Sequence, residues 1–391
     1  MKRLVVCCDG TWGSESNPAV SNVVKIAESV RLGTTLDTGE HVGQRVFYAD
    51  GPGSQGYLAD KLLGGAFGLG LNANLSTMYW QVALNWEPGD EIFVFGFSRG
   101  AYTARSLTGM IHRLGLLKPE AMIGKQYPEA LRIYRQRKRH LDEPDPQEWV
   151  DFREEHCHYP VPIKFVGVFD TVGAMGVPLV TSWRYRFHDM RLSPHVHCAR
   201  QALAIDERRR IFAPCLWEVT DEAGVEHQRA DRVKQVWFKG GHTDIGGGHA
   251  DCRLSDLTLR WMVDEAAAQG LQFDRERLEQ LMGTPAFDNA VRPHNALPLP
   301  YRIMNLLGLL VNPRNQRYYP DFWRRLSAPD DKKVSLSSTV EVCDDYRPPN
   351  LERWQQELSE QGRSLPSELV ENVVEDPVED PRPELEQPVS A

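Results

Sequence analysis

Gly96-Phe97-Ser98-Arg99-Gly100 follows the apolar run Ile92-Phe93-Val94-Phe95 without a break and leads into a helix-like stretch, Ala101 to Leu114. A G-x-S-x-G pentapeptide between a buried strand and a helix demands a sharp turn at the edge of a sheet. The glycines two residues either side of the serine remove side chains that would collide in that turn. The turn presents the serine hydroxyl and aims a helix N-terminus at it, which suits a nucleophile whose substrate develops negative charge. Pro88-Gly89-Asp90 marks the turn that starts the strand. The competing reading is a buried serine in an ordinary strand-to-helix connection.

A serine nucleophile needs a base to take its proton and an acid to hold that base in the right tautomer. Ser98, Asp170 and His242 occur in the chain order of α/β-hydrolases, each at the C-terminal end of an expected strand. His242 is the best base of the twelve histidines because it follows a buried run and sits among glycines. His249, His112 and His188 are weaker candidates. Asp244 and Asp206 rival Asp170 as the acid, since a strand-end aspartate can equally brace a loop. The oxyanion requires preorganised donors, and the loss of one costs about 3–4 kcal/mol of barrier. The backbone N–H of Arg99 is one candidate, and Gly10 or Thr11, leaving a strand at the same sheet edge, is the second.

The remaining pattern alternates strand and helix, which implies an α/β fold with a mainly parallel central sheet, helices on both faces and irregular cap insertions. Strands are expected at 4–8, 45–49, 92–95, 163–169 and 233–238. Helices are expected from Ser21 or Asn22 to Arg31, at 72–86, at 101–114 and at 254–269, the last with a core stripe of Leu257, Trp261 and Ala268. Residues 1–345 form the catalytic domain on this reading. It carries insertions at about 118–160, where a surface helix and loop are expected from 132 to 155, and at 275–330. The second insertion is irregular and is a candidate cap. Residues 346–391 form a Pro/Glu-rich acidic tail, disordered after about 366.

The net charge of −9 is concentrated in that tail, where residues 366–391 carry eight acidic groups and one arginine. The nearly neutral body offers no basic excess for a phosphate backbone, so nucleic acid is excluded as a partner. The N-terminal apolar run is too short for a signal peptide, and no transmembrane run is present. Seven cysteines, two of them adjacent in an expected buried strand, read as reduced thiols of a protein made in the cytoplasm, with export lacking a cleaved signal as a second route. Gly68-Leu69-Gly70-Leu71-Asn72-Ala73 fits a dinucleotide fingerprint only nominally, because no convincing strand precedes it. His195-Val196-His197-Cys198 and His156-Cys157-His158 lack the paired spacing of a zinc site. Phe67, Leu69, Leu71, Ile303, Leu306 and Leu307 are candidates for an acyl pocket or a lipid-facing cap, although a core would use the same residue types.

Five blocks occur together in one order: Cys8-Asp9-Gly10-Thr11-Trp12, Gly96-Phe97-Ser98-Arg99-Gly100-Ala101-Tyr102, Val168-Phe169-Asp170-Thr171-Val172-Gly173, Ala204-Ile205-Asp206-Glu207-Arg208, and Trp237-Phe238-Lys239-Gly240-Gly241-His242-Thr243-Asp244-Ile245-Gly246-Gly247-Gly248. Together they resemble the catalytic domain of the first family of type VI secretion phospholipase effectors and its many relatives. The resemblance implies an α/β-hydrolase that cleaves phospholipid acyl esters, with Ser98 as nucleophile, Asp170 as acid and His242 as base. It implies no metal or organic cofactor. It implies a lipid or other acyl-ester substrate and peripheral membrane contact, with an immunity or chaperone protein if the chain is an effector. The alternatives are a soluble carboxylesterase or thioesterase acting on small substrates, and a catalytically silent interaction protein.

Overall fold

The computed structural model describes residues 1–10, 19–35, 39, 41–51, 67–136, 144–173, 192–218, 231–282, 291–294, 297–311, 317–327, 333–341 and 345–370, with the main chain alone at 67–72, 300, 307–311 and 341. In chain order the elements are β1 (Lys2–Cys8), α1 (Asn22–Ser29), β2 (Gly33–Thr35), β3 (His41–Ala49), α2 (Phe67–Asn85), β4 (Glu91–Phe97), α3 (Ser98–Leu114), β5 (Leu116–Leu117), α4 (Pro119–Ile123), α5 (Tyr127–Arg135) and α6 (Gln147–His156). There follow β6 (Cys157–His158), β7 (Ile163–Phe169), β8 (Val196–Ala204), β9 (Val233–Phe238), α7 (His242–Gly246), α8 (Arg253–Ala268), α9 (Arg275–Leu281), α10 (Leu299–Val311), β10 (Ser335–Ser337), α11 (Ser338–Glu341), α12 (Pro349–Glu360) and β11 (Ser367–Glu368).

Nine strands form one sheet in the order β11-β10-β9-β8-β7-β4-β1-β3-β2. Every pairing in it is parallel except β2 with β3. The central strands are apolar on both sides, as strands covered by helices on both faces must be. Alternation then divides their side chains between two cores. Leu4, Val6 and Cys8 of β1 and Ile92 and Val94 of β4 join the core that includes α2, α3, α5 and α6. Val5 and Cys7 with Phe93, Phe95 and Phe97 join the one that includes α1, α8 and α9. Each such side chain contributes about 1.5–3 kcal/mol by leaving water. That is why the aromatic and β-branched run before the elbow forms a central strand.

The expected strands and helices up to 269 are present within a few residues, and the fold is the mainly parallel α/β architecture read from the sequence. β8 was not expected. Its charged and polar positions, Arg200 and Gln201, are buried and disguise a central strand. Arg200 pairs with Glu265 at 2.6 Å, and Gln201 accepts from Thr171 Oγ1 at 2.7 Å. The inward stripe of α8 is Leu259, Trp261, Met262, Val263 and Ala266, so Trp261 is a core residue as expected; Leu257 is also buried, but Ala268 is exposed. The 118–160 insertion contributes α4, α5 and α6, and Trp149 and Phe152 of α6 are core residues. Residues 349–360, expected to belong to the acidic tail, form α12. Its Leu351, Trp354 and Leu358 pack with Leu203, Trp237 and Leu336. The part of the tail from 371 onward lies outside the described residues.

The elbow is fixed by close backbone contact. A Cβ on Gly100 would lie 2.2 Å from the carbonyl oxygens of Cys8 and Asp9, and one on Gly96 would lie 2.6 Å from the Ala101 Cα. Helix α3 therefore starts directly against the end of β1. Gly100→Ala should destabilise the protein by about 1–3 kcal/mol, because backbone cannot move aside as a side chain can. Gly43→Ala, where no atom lies within 4 Å of the new methyl, should stay within about 0.5 kcal/mol of the parent. Urea unfolding of the two variants checks this, and equal losses would show that close approach at Gly100 does not constrain the elbow.

Candidate active site

β4 and β7 are neighbours, and Phe97 is in register with Phe169. Ser98 and Asp170 therefore step off adjacent strands at the same level of the sheet edge. β8 lies between β7 and β9, so the turn after β9 brings His242 back from two strands away. Both Ser98 (φ 58°) and Asp170 (φ 38°) adopt the left-handed region that non-glycine residues rarely occupy. Such strain persists only where the surroundings over-determine it, and it concentrates at functional sites.

The three side chains meet. His242 Nε2 is 2.8 Å from Ser98 Oγ, and His242 Nδ1 is 2.6 Å from Asp170 Oδ2. A carboxylate at Nδ1 fixes the proton there and leaves Nε2 as the acceptor for the serine hydroxyl. Phe97 and Phe212 flank the imidazole on centroid distances of 4.8 Å each. Burial pulls the His242 pKa down and outweighs the raising effect of Asp170, so the ring is neutral, the form a base must take.

The rival acids have other partners. Asp206 Oδ2 accepts from Gly240 N at 2.7 Å and from Tyr346 Oη at 2.5 Å, and burial raises its pKa to about 6. Asp244 Oδ2 accepts from Gly241 N at 2.9 Å and caps the turn that carries His242. Among the rival bases, His112 is 3.3 Å from His195, Nδ1 to Nδ1, and burial lowers its pKa to about 4. His188 lies outside the described residues, as does Thr11. Gly10 stands at the expected sheet edge, but its N–H donates to Asp9 Oδ1 at 2.6 Å. Arg99 occupies the first turn of α3, the positive end of that helix dipole. The residues of the nominal dinucleotide fingerprint are helical within α2.

Arg324 is the residue of the candidate site that sequence reading missed. It is fully buried and clamps Asp170 with two hydrogen bonds, Nη1 to Oδ1 at 2.7 Å and Nη2 to Oδ2 at 3.0 Å. Nη1 also donates to Ala204 O at 3.0 Å and Nη2 to Phe212 O. Burial alone would raise the Asp170 carboxyl, but the Arg324 guanidinium, followed by His242, holds it well below the ordinary carboxylate range. Other anchors converge on the same turn. Asn22 Nδ2 donates to Ile245 O at 3.1 Å and Ser255 O at 2.8 Å, and Lys25 pairs with Asp256 at 2.6 Å, fastening α1 to α7 and α8. Glu207 accepts from His242 N at 3.3 Å and pairs with Arg209 at 2.6 Å.

Removing Arg324 leaves a buried carboxylate without its compensating charge. Arg324→Met should cost about 3–5 kcal/mol in urea unfolding. It should also raise the His242 pKa, because the uncompensated Asp170 charge then acts on the imidazole in full. In NMR titration the His242 midpoint should lie below 6.5 in the parent protein and move upward in the variant. An unmoved midpoint would show that Arg324 is a packing residue without electrostatic reach to the imidazole.

Comparison with known proteins places this site in a family. Residues 2–265 match the family model for the catalytic domain of Tle1-like phospholipase effectors of the type VI secretion system. An uncharacterized protein of Saccharomyces cerevisiae, YEL023C, is 30% identical in an alignment of 231 positions that covers 54% of this chain and 32% of the relative. The chain thus covers about a third of that relative's length. Among solved structures, the Tle1 effector bound to the VgrG spike of the type 6 secretion system aligns with a TM-score of 0.46 at 15% identity, over 73% of this chain and 77% of that one. An uncharacterized protein from Pseudomonas aeruginosa aligns with a TM-score of 0.40 at 18% identity, over 71% and 48%. The match over residues 2–265 spans the strands, the elbow and all three residues that meet at the sheet edge, and the chain belongs to the Tle1-like catalytic domain family.

Proposed function

We propose that the protein is a serine hydrolase that cleaves acyl esters of phospholipids. The observation that carries the reading is the continuous chain from Ser98 Oγ to His242 Nε2 and from His242 Nδ1 to Asp170, at 2.8 and 2.6 Å. Ser98 Oγ attacks the ester carbonyl as its proton passes to His242 Nε2. Asp170 stays ionised and stabilises the imidazolium. The carbonyl oxygen becomes an oxyanion that faces the backbone N–H of Arg99 at the N-terminus of α3. Collapse transfers the proton from His242 to the departing alkoxide and leaves an acyl-serine. Water, deprotonated by His242, attacks the acyl-serine, releases the fatty acid and regenerates Ser98.

A lipid substrate is favoured over a small soluble ester by the family and by α10. Tyr301 on this helix faces Phe212, the ring that flanks His242, and Asn305 binds the main chain at Arg208 and Arg210. On its other side Leu299, Ile303 and Leu306 follow helical spacing and are exposed. An amphipathic helix held against the Arg208–Phe212 segment by one face and apolar on the other suits the interface of a lipid bilayer. The side chains of Phe67, Leu69, Leu71 and Leu307, also expected to line an acyl pocket or cap, lie outside the described residues. No helix among the described residues is long and apolar enough to cross a membrane.

Ser98→Ala should lower hydrolysis of a short fluorogenic ester by about 10⁴-fold or more. Mass spectrometry of phospholipid vesicles incubated with the parent protein should show lysolipid and free fatty acid in equal amounts. Unchanged ester cleavage by the variant would eliminate Ser98 as nucleophile, and cleavage of short esters without any lysolipid would leave a soluble carboxylesterase. Ile303→Asp combined with Leu306→Asp should reduce vesicle hydrolysis at least about tenfold while sparing the soluble ester, since charges on that face oppose burial in lipid. Equal loss on both substrates would show that α10 supports the site without meeting the bilayer.

A further inference from the structure

A second cluster lies beside the triad, on the turn that carries His242. Asp244 is in the same short helix, α7; His249 follows it by way of Gly247 and Gly248; and His294 arrives from the segment before α10. One donor atom from each of the three lies within 4.8 Å of the other two. Asp244 Oδ1 is 2.6 Å from His294 Nδ1 and 3.9 Å from His249 Nε2, and the two imidazoles stack at a centroid distance of 4.0 Å. The other carboxylate oxygen, Oδ2, is already held by the N–H groups of Gly241 and His294. Oδ1 is thus aimed by a buried, fully oriented carboxylate at two imidazoles.

We infer that Asp244, His249 and His294 form a binding site for a first-row divalent transition-metal ion of the zinc class. Two imidazole nitrogens and one carboxylate oxygen suit such an ion better than calcium or magnesium, which take oxygen donors. Three donors each about 2.0–2.2 Å from a common ion stand about 3.3 Å apart in a tetrahedral shell, between the two distances given above. The hydrogen bonds to Oδ2 supply the outer support that orients a ligating carboxylate. The side chains of His249 and His294 are 37% and 39% exposed while that of Asp244 is 1% exposed, so the fourth position opens to solvent. A bound ion would join the segment leading into α10 to the helix that starts with His242, and it requires no assumption about ester hydrolysis.

The test uses the full chain, dialysed against a chelator and titrated calorimetrically with Zn²⁺, with Co²⁺ as a spectroscopic probe. The expected result is one equivalent bound, visible d–d absorption with Co²⁺, and a Zn²⁺-dependent rise in melting temperature. His249→Ala and, separately, His294→Ala should weaken binding at least about tenfold and abolish the cobalt band, because each removes one of three protein ligands. His249 is partly exposed, reaches Asp244 only at 3.9 Å and otherwise stacks on His294, so its variant should melt close to the metal-free parent. Absence of binding by the parent up to millimolar Zn²⁺, or undiminished binding in His249→Ala, would overturn the assignment.

Discussion

A buried negative charge at Asp170 is the constraint on which the rest of the site depends. Taking a carboxylate out of water costs several kcal/mol unless opposite charge and hydrogen bonds replace the lost hydration. Here Arg324 supplies both, at 2.7 and 3.0 Å, and Ala204 N adds a third donor at 3.2 Å. With the charge compensated, Asp170 remains ionised against His242 and fixes which imidazole nitrogen faces Ser98. The guanidinium also donates to Ala204 O and Phe212 O, linking Asp170 to the end of β8 and to the residue whose ring flanks His242. One ion pair therefore connects the electrostatics of the site, the imidazole tautomer and the placement of Phe212 beside His242.

The position of Arg324 also explains why the chain beyond the β9 turn matters. Tyr318 and Arg324 form a bridge in the same loop, and Tyr318 Oη donates to Arg209 O at 2.9 Å. Asn350 at the start of α12 donates to Ile205 O at 2.9 Å and to Arg324 O at 3.2 Å. The described segments between 317 and 360 thus add β10 beside β9 and carry the counter-charge to Asp170. The family match stops at residue 265, so this chain supplies the compensation for Asp170 from outside the matched region.

Much of the architecture was legible because its central strands are continuous apolar runs ending in glycine and aspartate. Ser98, Asp170 and His242 were visible for the same reason: each follows such a run, and their order in the chain suits a parallel sheet. β8 was not legible, since Arg200 and Gln201 look solvent-facing until their partners Glu265, Thr171 and Gln235 are known. Arg324 was not legible either, because an arginine beside Arg325 in an irregular stretch carries no local sign of a partner 154 residues away. The same limit applied to α12, whose Pro and Glu content concealed the spacing of Leu351, Trp354 and Leu358. The second oxyanion donor shows the reverse: Gly10 was read at the right edge, yet its N–H is engaged by Asp9.

The central claim is that Ser98 is a nucleophile activated by His242. Reaction of the intact protein with a fluorophosphonate, read by mass spectrometry and peptide mapping, tests it most directly. The account predicts a single adduct on the peptide containing Ser98, formed rapidly in the parent protein and lost in His242→Ala. An adduct at another residue, or labelling of Ser98 at an undiminished rate without His242, would contradict it.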